Sequence, residues 1–576
     1  MKRRTALGLA GLLALAGCGG VPRSSAVVSG SRIEADPRVG LLQVIPDGPT
    51  PGAGPVDVVR GFLRAAVAAD DDHAVAREFL TASAAQSWRA DAATTVVASG
   101  PDLSLVSQDP DEAVVSITST ATAVVDAAGH YVEQPPGATS TRPVRLVRGG
   151  SGSGSEGEWR LAEPGDGIVL TALDASRTLR SFPVFFVTAG PTPQLLADVR
   201  WFGYDSSVAT RIVRALLDGP SEWLAPAVVS GAPRGTSLRV GTVPVAAGTA
   251  TVDLSDRALD AGPAQRAVLL AQLRASLTGL PEVSDVRVTV DGAELTRSGA
   301  AGADLPRSAV PVDARLVLLG PQGLSRWDRS GLVPVAGTGP GLEAAGGAGH
   351  PAAGPDGSTY AVLTDDSRVA RVQTVGGPLQ AAVTGRGQLV PPSVDRFGWV
   401  WTAPTAAGQA PLAVPTAAPG TPAQTVQTPA DGLGGALVRL RVARDGARLL
   451  VVVRDTAGVT HVRVHGVVRD GEGKPLRLGA GSADLAPGAG DVLDAGWLAD
   501  DGVAVLVRDG TGRTAPVVAR VSGPSTRLPD VPGAVSLAGG WSDRDVVVGT
   551  ADGKLLSRSG ADWIAVADGR DPAYPG

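Results

Sequence analysis

The sequence predicts a multidomain protein in which two α+β domains precede an all-β propeller of about six blades. Three observations carry this expectation. Residues 55–180 read as helical periodicity followed by a meander of strands. Residues 181–300 alternate short helices and strands. Residues 310–567 have almost no helical periodicity and consist of short apolar runs separated by Gly, Pro and Asp-Gly turns. The length of 576 residues is enough for roughly three or four domains.

Composition removes several function classes. A net charge of −6 provides no concentrated positive field, so no nucleic-acid partner is expected. Hydrophobic residues at 43% and charged residues at 19% suit a folded chain rather than a disordered one. The single cysteine, Cys18, excludes an internal disulfide and a cysteine zinc cluster.

The N-terminus reads as a leader (1–17) and a tether (18–54). Lys2, Arg3 and Arg4 precede a 13-residue uncharged stretch, Thr5–Gly17. A spanning helix needs about 20 residues, so this stretch fits a secretion signal instead. It ends in Leu15-Ala16-Gly17-Cys18, which resembles a bacterial lipobox. That resemblance implies cleavage between Gly17 and Cys18, a diacylglyceryl thioether on the Cys18 sulfur and acylation of the new amine. Acyl chains of this kind give stable membrane anchoring when two or more are present. The Gly-, Pro- and Ser-rich segment up to Pro55 would link anchor to body.

In the first domain (55–180), Val58, Val59, Phe62, Leu63 and Ala66 share one helical face. Asp70, Asp71 and Asp72 would cap a second helix containing Ala76, Phe79 and Leu80. Strands are expected at 113–118, 121–126, 143–148 and 158–161. Helices followed by a strand meander resemble an NTF2-like cone. Gly152, Gly154 and Gly157 match a dinucleotide fingerprint in spacing, but a strand rather than a helix follows, so no phosphate site is expected.

In the second domain (181–300), Pro183–Val187 is a buried-strand run, and Val208, Ile212, Ala215 and Leu216 form a helix face stopped by Gly219-Pro220. Strands are expected at 238–245 and 249–254, joined at Ala246-Ala247-Gly248. Leu270, Leu273 and Leu277 mark another helix, with Pro263 near its start. Val286, Val288 and Val290 alternate and end at the turn pair Asp291-Gly292. The string from Leu216-Leu217-Asp218-Gly219-Pro220 through Val252-Asp253-Leu254-Ser255 to Val290-Asp291-Gly292 resembles a GerMN domain, a module first described in spore-germination proteins. Asp253 reads as a strand end and Ser255 or Asp256 as a cap, not as catalysts.

In the third domain (310–567), a turn and then a strand recur at Asp356-Gly357, Asp445-Gly446 and Asp501-Gly502. Trp327, Trp399, Trp401, Trp497, Trp541 and Trp563 recur along it.

Catalytic residues, metal ligands and cofactor sites are not expected. His461 and His465 are four apart, but on a strand they would stand roughly 13 Å from each other. No HExxH, Walker A or GxSxG motif occurs. Asp365-Asp366 and Asp500-Asp501 read as turn formers.

Leader, cone, GerMN-like region and propeller, in that order, resemble the LpqB family of actinobacterial lipoproteins. The residues that carry the likeness are Val58–Leu63 with Phe79-Leu80-Thr81, the GerMN string, Leu389–Ser393 leading to Trp399-Val400-Trp401, and Gly466–Asp470. The resemblance implies a membrane-anchored, extracytoplasmic accessory protein. It would bind the extracytoplasmic domain of a sensor histidine kinase of the MtrB type and modulate a two-component system governing cell-wall homeostasis and division. The alternatives are a lipoprotein that binds a cell-wall glycan and a propeller hydrolase with side chains gathered at the channel.

Overall fold

The computed structural model describes residues 46–68, 72–149, 157–296, 306, 312–327, 331–338, 342 and 348–576. Gly17, Cys18, most of the tether, Asp70-Asp71 and the Gly152/Gly154 loop lie outside the described residues.

The helix Pro55–Ala65 starts with proline at its first position and buries Val58, Val59, Phe62 and Ala65. The expected second helix is only Ala74–Arg77. Asp72 and His73 adopt left-handed backbone conformations before it, and the Asp72 carboxylate pairs with Arg77 at 2.7 Å instead of capping. A third helix, Ala82–Ser87, is capped by the Thr81 hydroxyl, which accepts from the Ala84 amide at 3.3 Å. These helices lie on a seven-stranded sheet: β1 (Ala93–Val97), β2 (Asp102–Gln108), β3 (Glu112–Asp126), β4 (Tyr131–Glu133), β5 (Thr139–Arg148), β6 (Trp159–Glu163) and β7 (Ile168–Thr171). β3 is one 15-residue strand, where the sequence reading split it in two. Its buried positions, Ala113, Val115, Ile117, Ala121, Ala123 and Val125, keep a single parity through Ser119-Thr120, so the alternation continues across the expected gap. Phe62, Trp88, Leu146, Trp159 and Leu161 fill the space between helices and sheet.

The next region contains two small sheets. β8 (Leu179–Thr188), β9 (Leu195–Gly203) and β10 (Val228–Val229) form the first. β11 (Val245–Ala246), β12 (Thr249–Leu254), β13 (Asp285–Val290) and β14 (Ala293–Glu294) form the second. β12 and β13 run parallel, and the crossover between them carries the helix Pro263–Leu277. The expected strand 238–245 shrinks to a bridge, Leu238 to Leu254, plus β11, because Gly241 and Pro244 interrupt pairing. Ala247-Gly248 and Asp291-Gly292 each have two positive φ angles, as two-residue hairpins require.

Residues 316–573 form six sheets arranged as propeller blades. Their inner strands are Arg570–Ala573, Gly349–Ala353, Ser393–Val394, Ala436–Val442, Asp491–Leu498 and Ala534–Gly539, and these touch one another in a closed ring. The first blade draws on both ends of the region. Arg570–Ala573 pairs with Leu316–Gly320, so the last strand closes the ring on the first. This closing strand lies just past the 310–567 span that the sequence suggested.

The three regions interlock. One buried cluster runs from Phe186 and Leu216 through Trp223 and Leu224 to Val462, Val464 and Val505 of the propeller. The Gly466 amide donates to the Trp223 carbonyl at 3.2 Å, and a Cβ on Gly466 would lie 2.8 Å from that oxygen. The first region is tied in as well. Glu133 accepts from the Ser525 amide (3.0 Å) and hydroxyl (2.6 Å), and nearby the Trp201 indole of the second region donates to the Ser522 carbonyl at 2.7 Å.

Candidate functional site

The inner strands bring charged side chains together at the propeller channel. Arg439 and Arg441 come from Ala436–Val442, Asp494 from Asp491–Leu498, His350 from Gly349–Ala353 and Asp571 from the closing strand. Arg439 Nε donates to Asp494 Oδ1 at 2.7 Å. The Ala495 and Leu537 amides donate to the two Asp494 oxygens, each at 2.9 Å. Burial alone would raise the Asp494 carboxyl; Arg439 and Arg441 override it and hold it below the usual carboxylate range. Arg441 donates to the Pro392 carbonyl at 2.9 Å and the Leu440 carbonyl at 3.1 Å. Burial pushes its guanidinium down to about 10, against the pull of Asp494. The His350 amide donates to Asp571 Oδ2 at 3.3 Å, and its Nδ1 lies 3.5 Å from Oδ1. Burial lowers the His350 imidazole, with Asp571 opposing.

A third arginine, Arg444, lies beside them. Arg444 donates to the carbonyls of Pro575 (3.1 Å), Ala499 (3.1 Å), Gly539 (3.3 Å) and Gly540 (3.2 Å). Its guanidinium sits 4.1 Å from the centre of the Trp541 ring. Burial pushes Arg444 down to about 10 as well. Arg441, Arg444, Trp497 and Tyr574 line a small pocket of about 10 Å³.

These groups are engaged with backbone or with one another. Both Asp494 oxygens accept amides, and Arg444 binds four carbonyls, three from neighbouring blades and one from Pro575 just past the closing strand. The chemistry of the arrangement is cohesion: it ties the closing strand to its neighbours. Among the described residues no three His, Cys, Asp or Glu side chains are grouped so as to hold a metal ion.

The turn aspartates that sequence picked out have the same character. Asp356 accepts from the Ser358 amide at 3.1 Å, and Asp445 from the Ala447 amide at 2.7 Å. Asp445 also pairs with Arg448 at 2.7 Å, both side chains 4% exposed. Sequence reasoning missed Asp395, which occupies the equivalent turn of the third blade. Its Oδ1 accepts from the Phe397 and Trp399 amides at 2.9 and 3.0 Å. Its Oδ2 accepts from the Trp401 indole at 2.8 Å and from Arg469 at 2.7 Å. The signal was hidden because glycine follows three positions later, at Gly398, instead of next.

The other residues singled out from sequence stay apart. His461 pairs with Asp455 at 2.9 Å, whereas His465 is 4% exposed and away from it. Asp253 accepts from the Thr289 hydroxyl at 2.6 Å and the Gly292 amide at 3.2 Å. Ser255 precedes the turn Asp256–Asp260, but its hydroxyl accepts from the Ser237 amide at 3.1 Å rather than capping that turn. Asp365 and Asp366 occupy left-handed turn conformations.

Comparison with known proteins covers nearly all of this body. Residues 48–176 match the family model described as "Lipoprotein LpqB, N-terminal domain". Residues 183–296 match "Sporulation and spore germination", and residues 322–575 match "Lipoprotein LpqB beta-propeller domain". Lipoprotein LpqB of Streptomyces coelicolor is 29% identical, the alignment covering 100% of this chain and 98% of that one. Lipoprotein LpqB of Streptomyces avermitilis is also 29% identical, with coverage of 98% and 97%. Among solved structures, TolB from Acinetobacter baumannii aligns at a TM-score of 0.33 and 16% identity, covering 46% of this chain and 67% of that chain. Matched by both LpqB models, and by relatives of that name from end to end, the chain belongs to the LpqB lipoprotein family.

Proposed function

We propose that this accessory lipoprotein is anchored through Cys18 to the outer face of the cell membrane. There it binds the extracytoplasmic domain of a sensor histidine kinase of the MtrB type and modulates signalling that governs cell-wall homeostasis and division. The observation that carries a binding role over a catalytic one is how the convergent charges are used. At the channel, where a propeller enzyme would gather its reacting groups, Asp494, Arg441 and Arg444 are committed to backbone amides and carbonyls. The continuous core from Phe186 to Val505 supports the same reading, because a preordered surface loses little entropy on association. Confinement of both proteins to one membrane raises their effective concentration, so a modest interface suffices. Modulation requires different affinities for two kinase states, since equal affinity shifts nothing. In-membrane crosslinking followed by affinity purification tests the reading. The expected product is a covalent complex with the kinase ectodomain; recovery of the lipoprotein without the kinase under every crosslinker would remove it.

A further inference from the structure

The strand β2 is an open sheet edge. It pairs only with β3, and no other hydrogen bond reaches residues 102–108 among the described residues. Every residue of β2 except Leu103 is exposed, including two aliphatic side chains, Leu105 at 47% and Val106 at 63%. Val106 is the extra residue of a bulge, since Leu105 faces Val115 and Ser107 faces Val114. Leu105 follows Leu103 on the face that carries Ala113, Val115 and Ile117 of β3, and Leu103 packs on the domain core. A strand added beside β2 would therefore extend an apolar face that already exists.

Charge decides which strand fits. From residue 90 to 141 the chain has seven acidic residues and neither Lys nor Arg. Glu112 is paired with Arg145, Asp126 with His130, and Glu133 accepts from Ser525. Asp102, at one end of β2, and Asp109 and Asp111, just past the other, are exposed and have no side-chain partner among the described residues. Pairing of β2 with a second copy of itself would set these carboxylates against each other. Bulges and charges on an edge discourage indiscriminate pairing. Here the charge has one sign at both ends, which leaves the edge open to a strand of opposite sign.

We propose that β2 is a docking edge for an extended peptide segment of a partner protein, with alternating apolar residues flanked by Lys or Arg. This is independent of the kinase assignment, because recognition is defined by the peptide's chemistry. The test uses the full-length protein in detergent micelles and two fluorescent peptides, KRVTVTVRK and EDVTVTVDE. The basic peptide binds at least about tenfold more tightly at low ionic strength, and the preference shrinks as salt rises. Hydrogen exchange slows at the amides of residues 102–108 when it binds. The triple variant Asp102→Lys, Asp109→Lys, Asp111→Lys, confined to exposed positions, reverses the preference between the peptides. Equal binding of both peptides, protection elsewhere than β2, or protection of β2 that grows with protein concentration alone would each overturn the proposal.

Discussion

Replacing Asp395 with alanine tests whether the buried charges of the propeller are structural ties. Asp395 and Arg469 have side chains 0% and 1% exposed. Without the carboxylate, Arg469 keeps its bonds to the Gly446 and Gly473 carbonyls, both 2.8 Å, but its charge is uncompensated. Removing one partner of a buried ion pair costs about 3–5 kcal/mol. The Trp401 indole N–H is stranded too, which adds about 1–3 kcal/mol, and two turn amides lose their acceptor. Domain stabilities are about 5–15 kcal/mol, so the third and fourth blades should open locally well before the rest. The exposed pair Arg454–Asp491, with side chains 43% and 38% exposed, is the control; Asp491→Ala should cost under about 1 kcal/mol. Hydrogen exchange read peptide by peptide is the assay, since one global unfolding midpoint is ill-defined for several regions. Amides in 393–415 and 448–469 should exchange much faster in Asp395→Ala and nearly normally in Asp491→Ala. Adding Arg469→Met to Asp395→Ala should restore part of the protection, because the orphaned charge is gone. Equal, small effects of Asp395→Ala and Asp491→Ala would show that the buried pair is not a structural tie.

Three further outcomes are expected. Burial lowers His465 below the ordinary imidazole value, and His73 and His350 shift the same way. The unfolded chain then takes up these protons more readily, so their contribution is complete above about pH 6.5 and is lost as pH falls through the lowered folded values. The opening free energy of the strand around His465, read by hydrogen exchange, should fall between pH 7 and pH 5, and His465→Leu should shrink that fall; an unchanged fall would count against the assignment. In the GerMN-like region, Gly231→Ala would place a Cβ 2.2 Å from the Leu269 amide nitrogen, where backbone cannot yield. A loss of about 1–3 kcal/mol in the opening free energy of the Pro263–Leu277 helix is expected by hydrogen exchange, whereas Gly241→Ala, which meets only the Arg214 guanidinium at an ordinary 3.8 Å, should be nearly neutral. Cys18→Ala should leave the protein unprocessed or release it from membranes, as fractionation and mass spectrometry would report; a cleaved variant still held on the membrane would contradict the anchor.

Much of the architecture was legible because it rests on local periodicity. The Val58, Val59 and Phe62 face, the alternation of β13 and the glycines at two-residue hairpins are short-range signals that survive folding. The propeller was legible through turn chemistry repeated from blade to blade. What escaped depends on distant partners. Ring closure by Arg570–Ala573 joins segments some 250 residues apart, and no local pattern announces it. Asp395, Arg444 and Arg469 are ordinary surface-type residues in sequence, and only the assembled blades bury them. The continuity between the GerMN-like core and the propeller escaped for the same reason. Trp223, Leu224 and Gly466 read as unremarkable until they meet. The β2 edge is partly legible in retrospect, since a 52-residue stretch without a basic residue is visible in the sequence alone.

If the protein acts as proposed, it binds a kinase ectodomain differently in two signalling states. The most direct test is kinase autophosphorylation in vesicles carrying the full-length kinase with or without the Cys18-anchored lipoprotein. The rate should change when the lipoprotein shares the kinase's membrane, and the change should be lost when the two are reconstituted in separate vesicles. An identical autophosphorylation rate with and without the lipoprotein in the same membrane would contradict the proposal.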